Sequence, residues 1–199
     1  VLSKRWDYGL EYILSCLPDD WGAGYPNVWL GATVENQETT SRLEVACRVP
    51  SQRGIFASCE PLLGEIDLRR WFPVQDWGQP FPTTLPDGRA ADWRSPVRWV
   101  IGGAESGGKA RPTHPRWARV LRDHAVEAGV DYHWKQWGEW VTEEQAPEDI
   151  ILPSTSFLEW AAADGDGNWT EGDQTAVYKV GKKRAGRLLD GRNWDGGPV

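Results

Sequence analysis

VRWVIGGAESGG, residues 97–108, decides how this chain reads. Its first seven residues, 97–103, are almost all apolar, which fits a short strand buried on both faces. Polarity returns at once beyond the strand, with Ala104, Glu105, Ser106 and Gly107. A helix pattern follows over 115–128. Pro115 suits a first helical position, Trp117, Val120, Leu121, His124 and Ala125 form an apolar stripe, and Gly129 is a stop. Buried strand, polar end, amphipathic helix is the unit the rest of the chain repeats.

Working outward, GIFASC (54–59) is a buried strand followed by Glu60 and Pro61, and Pro61 cannot donate to a ladder, so the strand ends there. VWLGATV (28–34) is another, followed by Glu35 and Asn36. Val1 and Leu2 read as the end of a buried strand, with Ser3, Lys4 and Arg5 just past it. Downstream, VDYHW (130–134) leads into Lys135 and Gln136. Between strands, Trp6, Leu10, Ile13, Leu14 and Leu17 mark a helix over 6–17, residues 38–49 a short helix, and 65–72 one or two helical turns. The stretch 73–96 is rich in Pro, Gly, Trp and Asp and reads as an irregular insertion or lid.

Repeated βα units with buried strands imply an α/β fold with a parallel sheet, either an open wound sheet or a barrel, its helices outside. Residues 1–138 carry this pattern, with 67–96 as the irregular insertion. The alternation ends near Gly138. Residues 157–163 and 168–170 read as a hairpin around Asp164-Gly165-Asp166-Gly167, and the tail from 178 is a basic patch followed by LLDGRNWDGGP, laid back over the body. Residues 139–199 thus form an appendage.

Composition limits the function classes. A chain of 199 residues can bury one good core. No apolar run approaches the ~20 residues of a membrane span, and no secretory leader pattern is present, so a cytoplasmic, non-membrane protein is expected. Cys16, Cys47 and Cys59 are odd in number and lack CxxC spacing, as expected of reduced thiols rather than a disulfide framework or zinc knuckle. Metal ligands are not expected among the histidines either, because His114, His124 and His133 show no ligand spacing. The net charge of −7 argues against indiscriminate attraction to nucleic acid. The 14 tryptophans are read first as packing, with base or sugar stacking as the alternative. The chain holds no Met and starts at Val1, which together with the half-strand at its start reads as a fragment.

Ligand chemistry on parallel sheets gathers at the C-terminal strand ends, where the βα loops converge. There the chain places Lys4 and Arg5, Glu35 and Asn36, Glu60, Glu105 and Ser106, and Lys135 and Gln136. For any single Glu, nearness to water is explanation enough. Five polar endings together point to a site, with carboxylates for acid–base work or for binding ammonium and hydroxyl groups, and Lys135 as their positive partner. Gly102 and Gly103 would permit close backbone approach, and free N–H groups around Gly107 and Gly108, with Arg111 following, would cradle an anion; a tight structural turn is the competing account. The run Lys179, Lys182, Lys183, Arg184, Arg187 and Arg192 is read as a solvated face before a phosphate contact.

Taken in order, VLSKR, VWLGATVEN, ASCEPLLG, WVIGGAESGGKARP, WKQWG and VGKKRAGRLLDGR closely resemble the uncharacterised phage-associated gene product thirty-seven/sixty-eight family. The resemblance covers nearly the whole chain apart from 73–96 and 142–174. Trp6 stands where that family tends to have Pro, and GGAESG replaces GGESG, shifting the glycines. Members look like radical S-adenosylmethionine proteins, with a three-cysteine iron–sulfur motif in their N-terminal part that this chain does not contain. The resemblance implies a partial barrel of TIM-like, radical-enzyme type, comprising its C-terminal portion and an irregular tail. It also implies Glu60, Glu105 and Lys135 as catalytic groups. Lys4, Glu35, Asn36, Gly102, Gly103, Ser106, Gly107, Arg111 and Gln136 would line the cofactor site. The cluster and S-adenosylmethionine would belong to the full-length protein, and this chain alone would bind neither and be inactive. The substrate would be a small molecule or nucleic-acid-related, and any partner protein is unidentified. The residues alone leave two other readings open, a cofactor-free hydrolase or lyase built on the Glu ring and a non-catalytic nucleic-acid-binding module.

Overall fold

The computed structural model describes residues 1–73, 95–153, 156–157, 160–163, 169–173 and 175–197. Most of the insertion expected over 73–96, and the whole of the turn 164–167, therefore lie outside the described residues.

Five parallel strands form the sheet: β1 (Leu2–Ser3), β2 (Leu30–Thr33), β3 (Ile55–Cys59), β4 (Val97–Gly102) and β5 (Asp131–Trp134). Their spatial order is the chain order, β1-β2-β3-β4-β5, and every pairing is parallel. No pairing joins β1 to β5 among the described residues. With right-handed crossovers and no reversal of order, every crossover falls on one face. On that face α2 (Ser41–Ala46) packs on β2, and α3 (Pro115–Glu127) packs on β4 and β5.

Pleating separates the two faces. Ala32, Ala57, Val100 and Tyr132 lie in register on the helix side, all buried, and Tyr132 donates its hydroxyl to the Ala118 carbonyl of α3. The opposite face carries Gly31, Phe56 and Trp99 in one row and Thr33, Ser58, Ile101 and His133 in the next. Gly31 is required there, because a Cβ would come within 2.3 Å of the Phe56 ring.

α3 matches its sequence signals: His114 Nδ1 accepts the Arg116 N–H, Pro115 opens the first turn, and Gly129 takes φ 64° at the stop. Leu121 is fully buried, so Leu121→Ala would remove ~2–5 kcal/mol. The helix expected over 6–17 is broken instead. Gly9 adopts φ 86°, dividing a 3-10 turn at Arg5–Tyr8 from α1 (Leu10–Ser15) and leaving Leu14 exposed. Residues 38–49 likewise give a 3-10 turn, Glu38–Thr40, before the six-residue α2.

After β5 the chain turns antiparallel. β6 (Trp140–Thr142), β7 (Ser156–Phe157) and β10 (Ala176–Lys179) form a sheet ordered β6-β10-β7. The expected hairpin strands appear as β8 (Trp160–Ala163) and β9 (Trp169–Asp173). α4 (Lys182–Ala185) follows β10. The tail then returns over the body: Trp134 N–H donates to the Trp194 carbonyl at 3.0 Å and Gly196 N–H to the Tyr132 carbonyl at 2.9 Å. This covers the outer edge of β5, which would otherwise present unpaired backbone groups. Val141, Val180, Ala185 and Leu189 join the same buried cluster as the parallel sheet. No helix among the described residues is long and apolar enough to cross a membrane.

Candidate functional site

Extending the register one step past β3, β4 and β5, and two past β2, brings Glu35, Glu60, Gly103 and Lys135 into one row. The backbone holds this row together: Leu63 N–H donates to Glu35 O, Leu62 N–H to Gly103 O, and Lys135 N–H to Gly102 O. Leu62 and Leu63 come from CEPLLG, so that motif spans the ends of β2, β3 and β4. Leu62 is fully buried, and its carbonyl accepts the Thr113 hydroxyl.

Lys135 Nζ lies 3.0 Å from Glu60 Oε1 and 3.3 Å from Oε2. The two side chains start just past the ends of β5 and β3, and Gly103, just past β4, stands between them. A Cβ on Gly103 would meet Glu60 Oε1 at 2.7 Å. The glycine therefore leaves room for the Glu60 side chain to turn toward Lys135. Gly102 is constrained in the same way on the helix face, where a Cβ would meet the Trp134 ring at 3.0 Å. The Glu60–Lys135 pair is open, the Lys side chain 54% and the Glu side chain 19% exposed. A pair in that setting contributes about 0–1 kcal/mol, so a ligand can replace either partner at small cost.

Glu35 is placed differently. Arg42 Nη1 donates to Glu35 Oε2 at 2.7 Å and to the Thr33 carbonyl at 2.8 Å, while Lys4 Nζ bonds Oε1. Glu35 and Arg42 side chains are only 13% and 14% exposed. Burial would raise the Glu35 carboxyl, but Lys4 and Arg42 outweigh it and hold it below the ordinary value. Asn36 is used by the backbone, its Oδ1 accepting the Thr39 N–H at 3.0 Å.

Glu105 does not join the row. Arg111 holds it through Nε at 2.8 Å, Nη2 at 3.0 Å and its own backbone N–H at 2.8 Å. The Arg111 side-chain hydrogen bond, with that from its backbone, holds the Glu105 carboxyl low. Near Gly107, where N–H groups free for an anion were expected, the Gly107 N–H donates to the chain's own Glu139 Oε1 at 3.1 Å. Gln136 also serves the backbone, its carbonyl accepting the Ala104 N–H at 2.9 Å. Gly138 takes φ 68° against the Glu105 carbonyl, where a Cβ would sit 1.9 Å away. Ser106 is exposed beyond the end of β4.

Reading the strand ends alone overlooked His133, Arg187 and Asp190. His133 lies two residues before Lys135, on the same face, with Nδ1 4.0 Å from Asp195 Oδ1. Burial, then the Arg187 charge, pushes its pKa down, so the imidazole is neutral at neutral pH. The period of two in β5 was the signal that pairs it with Lys135. Arg187 and Asp190 belong to GRLLDGR. Asp190 accepts Arg119 Nε at 2.9 Å and Gln145 Nε2 at 3.0 Å, also pairs with Arg122, and its N–H donates to Gln145 Oε1. That motif clamps the tail to α3.

The thiols do not fit an iron–sulfur cluster. Cys47 and Cys59 are fully buried and pushed far up by burial, whereas Cys16 is exposed at the end of α1. Among the described residues no three His, Cys, Asp or Glu side chains are placed to hold a metal ion.

A family model described as a protein of unknown function (DUF5131) matches residues 1–198. Comparison with curated proteins gave no match, and comparison with solved structures gave none.

Proposed function

We propose, from the premise that the chain belongs to the DUF5131 family of unknown function, that the Glu60–Lys135 rim binds the amino-acid head group of S-adenosylmethionine. In this reading the five-stranded sheet is an arc of a βα barrel and the whole protein is a radical S-adenosylmethionine-like enzyme acting on an unidentified substrate. The sequential strand order supports an arc over a doubly wound sheet, which reverses order at its binding crevice. The resemblance to the phage-associated family supports the choice of cofactor. This chain's thiols supply no cluster site, so its own part is binding and orientation; in contrast to the expectation that this chain alone binds no cofactor, the rim would hold the head group without the cluster.

The observation that carries the reading is the open pair itself. Lys135 reaches across Gly103 to a carboxylate that no guanidinium claims among the described residues. A zwitterionic head group matches it by exchange, its ammonium on Glu60 and its carboxylate on Lys135. When bound, S-adenosylmethionine supplies an activated sulfonium. Glu35, locked by Arg42 and Lys4, fixes the end of β2, and neutral His133 can hold a proton beside the head group. Hydrolysis by a Glu ring is less well supported, because Arg residues occupy Glu35 and Glu105.

Calorimetric titration with S-adenosylmethionine tests this. Glu60→Gln and Lys135→Ala should each weaken binding about tenfold or more, a loss of about 1.4 kcal/mol. Their urea midpoints should stay close to the parent, since the pair contributes about 0–1 kcal/mol. Absence of binding by the unaltered chain, or equal affinity in both variants, sinks the reading.

A further inference from the structure

The returning tail meets β5 at close range. On either side of Asp195, Trp194 O accepts the Trp134 N–H at 3.0 Å and Gly196 N–H donates to Tyr132 O at 2.9 Å. A Cβ on Gly196 would come within 2.4 Å of that same Tyr132 oxygen, so only a glycine allows the approach. Trp99 Nε1 on β4 donates to Gly196 O at 3.0 Å and fixes the strap to the sheet. Between these anchors Asp195 pairs with His133 as an antiparallel bridge. Directly paired residues put their side chains on one face, here the face that also carries Lys135. Asp195 Oδ1 lies 4.0 Å from His133 Nδ1 and also pairs with Arg187. Four charged groups thus lie around the imidazole: Asp195 and Arg187 from the tail, Glu60 from the end of β3 and Lys135 from the end of β5. Burial disfavours the imidazolium most, Arg187 and Lys135 act with it, and Asp195 and Glu60 act against it. A neutral imidazole has one N–H and one lone pair, and the partner of one nitrogen decides which nitrogen keeps the proton. Asp195 stands on the Nδ1 side.

We infer that Asp195 is a positioning residue, which keeps the His133 proton on Nδ1 and leaves Nε2 as a bare acceptor beside the Glu60–Lys135 rim. The molecule bound at the rim then presents a hydroxyl or amine hydrogen to Nε2. If that hydrogen is transferred, the proton goes to Nε2, its electron pair stays on the ligand, and Asp195 stabilises the imidazolium. A carboxylate behind a histidine base works in this way on unrelated folds. At 4.0 Å the Asp195–His133 contact is longer than a hydrogen bond, and contacts of this kind tighten when a site fills. Arg187 competes for the same carboxylate oxygen, so the tail sets both the strength and the direction of the effect on His133. The inference rests on the rim reading only for where the ligand sits; the Asp195–His133 pairing stands on the strap itself.

The test is heteronuclear NMR of the ring nitrogens in the full chain, with His133→Gln identifying the His133 signals among the three histidines. In the parent chain His133 should be in the Nδ1–H form. Asp195→Ala should shift its proton toward Nε2 and its titration to lower pH. Arg187→Gln, which frees Asp195 for His133 and removes a cation, should shift the titration to higher pH. The Asp195 side chain is 60% exposed and the strap is anchored by its neighbours, so the Ala variant should keep the parent's urea midpoint. His114 and His124 should stay unmoved in both variants. An Nε2–H form in the parent, or an Asp195→Ala titration equal to the parent's, overturns the inference. S-adenosylmethionine added to the parent chain should then displace the His133 Nε2 signal. Calorimetric binding without that displacement overturns the acceptor role. Absence of binding, with both titration shifts and the Nδ1–H form observed, defeats the rim reading alone and upholds the pairing.

Discussion

Asp190 takes hydrogen bonds from Arg119, Arg122 and Gln145, whereas Glu60 takes one ammonium, that of Lys135, with Ser58 Oγ at 3.5 Å. Both are carboxylates facing cations, yet their surroundings differ in kind. Asp190 lies in the turn of GRLLDGR at φ 52°, and its cations come from α3, with the Arg122 side chain only 12% exposed. Satisfying every acceptor there ties the tail to the body. Glu60 lies at an open rim with acceptor capacity left over. Saturated carboxylates, Asp190 and Glu105 alike, hold the architecture; an undersatisfied one keeps its chemistry for something outside the chain.

Removing the saturated site should show the largest effect. Asp190→Ala takes from Arg119 and Arg122 the carboxylate they share, leaving them Glu144 and Asp123, and places Ala at a positive φ, so it should cost about 2 kcal/mol of stability. Urea unfolding measures this. A loss below about 1 kcal/mol would show that the tail is held mainly by Leu189 and Trp194.

Acid sharpens the same contrast. Burial alone would raise the Asp190 carboxyl, but its bonds to Arg119, Arg122 and Gln145 outweigh that and hold it well below the ordinary range. In the unfolded chain it returns to about 3.9. A depressed folded pKa gives stability that is fully present above the unfolded value and lost as pH falls toward the folded one. Unfolding midpoints should therefore decline from about pH 4 downward, and Asp190→Asn should flatten that decline. Glu35, Asp67 and Glu105, also held low by their cationic partners, contribute with the same sign. An unaltered slope in the Asn variant would assign the acid sensitivity to them.

The smallest change in stability should come at the rim. Gly103→Ala puts a methyl 2.7 Å from Glu60 Oε1, the mobile end of a side chain that can swing away. Stability should shift by less than about 1 kcal/mol, while affinity for the rim ligand falls about tenfold as Glu60 and Lys135 are pushed apart. Unchanged affinity would mean that the two need not be paired to bind.

Much of the frame was legible in the residues. Apolar runs marked the parallel strands, but burial at every position holds only for β2 and β3; β4 and β5 carry exposed positions at Arg98 and Asp131, and β1 is two residues long with Leu2 exposed. The signals of α3 were local and held: a Pro at its start, a stripe, a Gly at its stop. Gly9 was less legible, since a single positive φ interrupts a stripe that periodicity carries straight through. Glu35, Glu60 and Lys135 were found as strand endings, and parallel register puts endings of one phase in one row.

What the sequence could not settle was which ending each charge would keep for itself. Arg111 reaches Glu105 within one loop, six residues on, but the closing of the Gly107 turn by Glu139 and the gathering of Arg119, Arg122 and Gln145 on Asp190 depend on side chains that meet only after the chain has folded back. Local pattern fixes where a strand stops and which way its side chains point, because both follow from backbone geometry within a few residues. Pairing of charges is a matter of distance in space, and Asp190 stands 71 residues from Arg119, beyond the reach of any period.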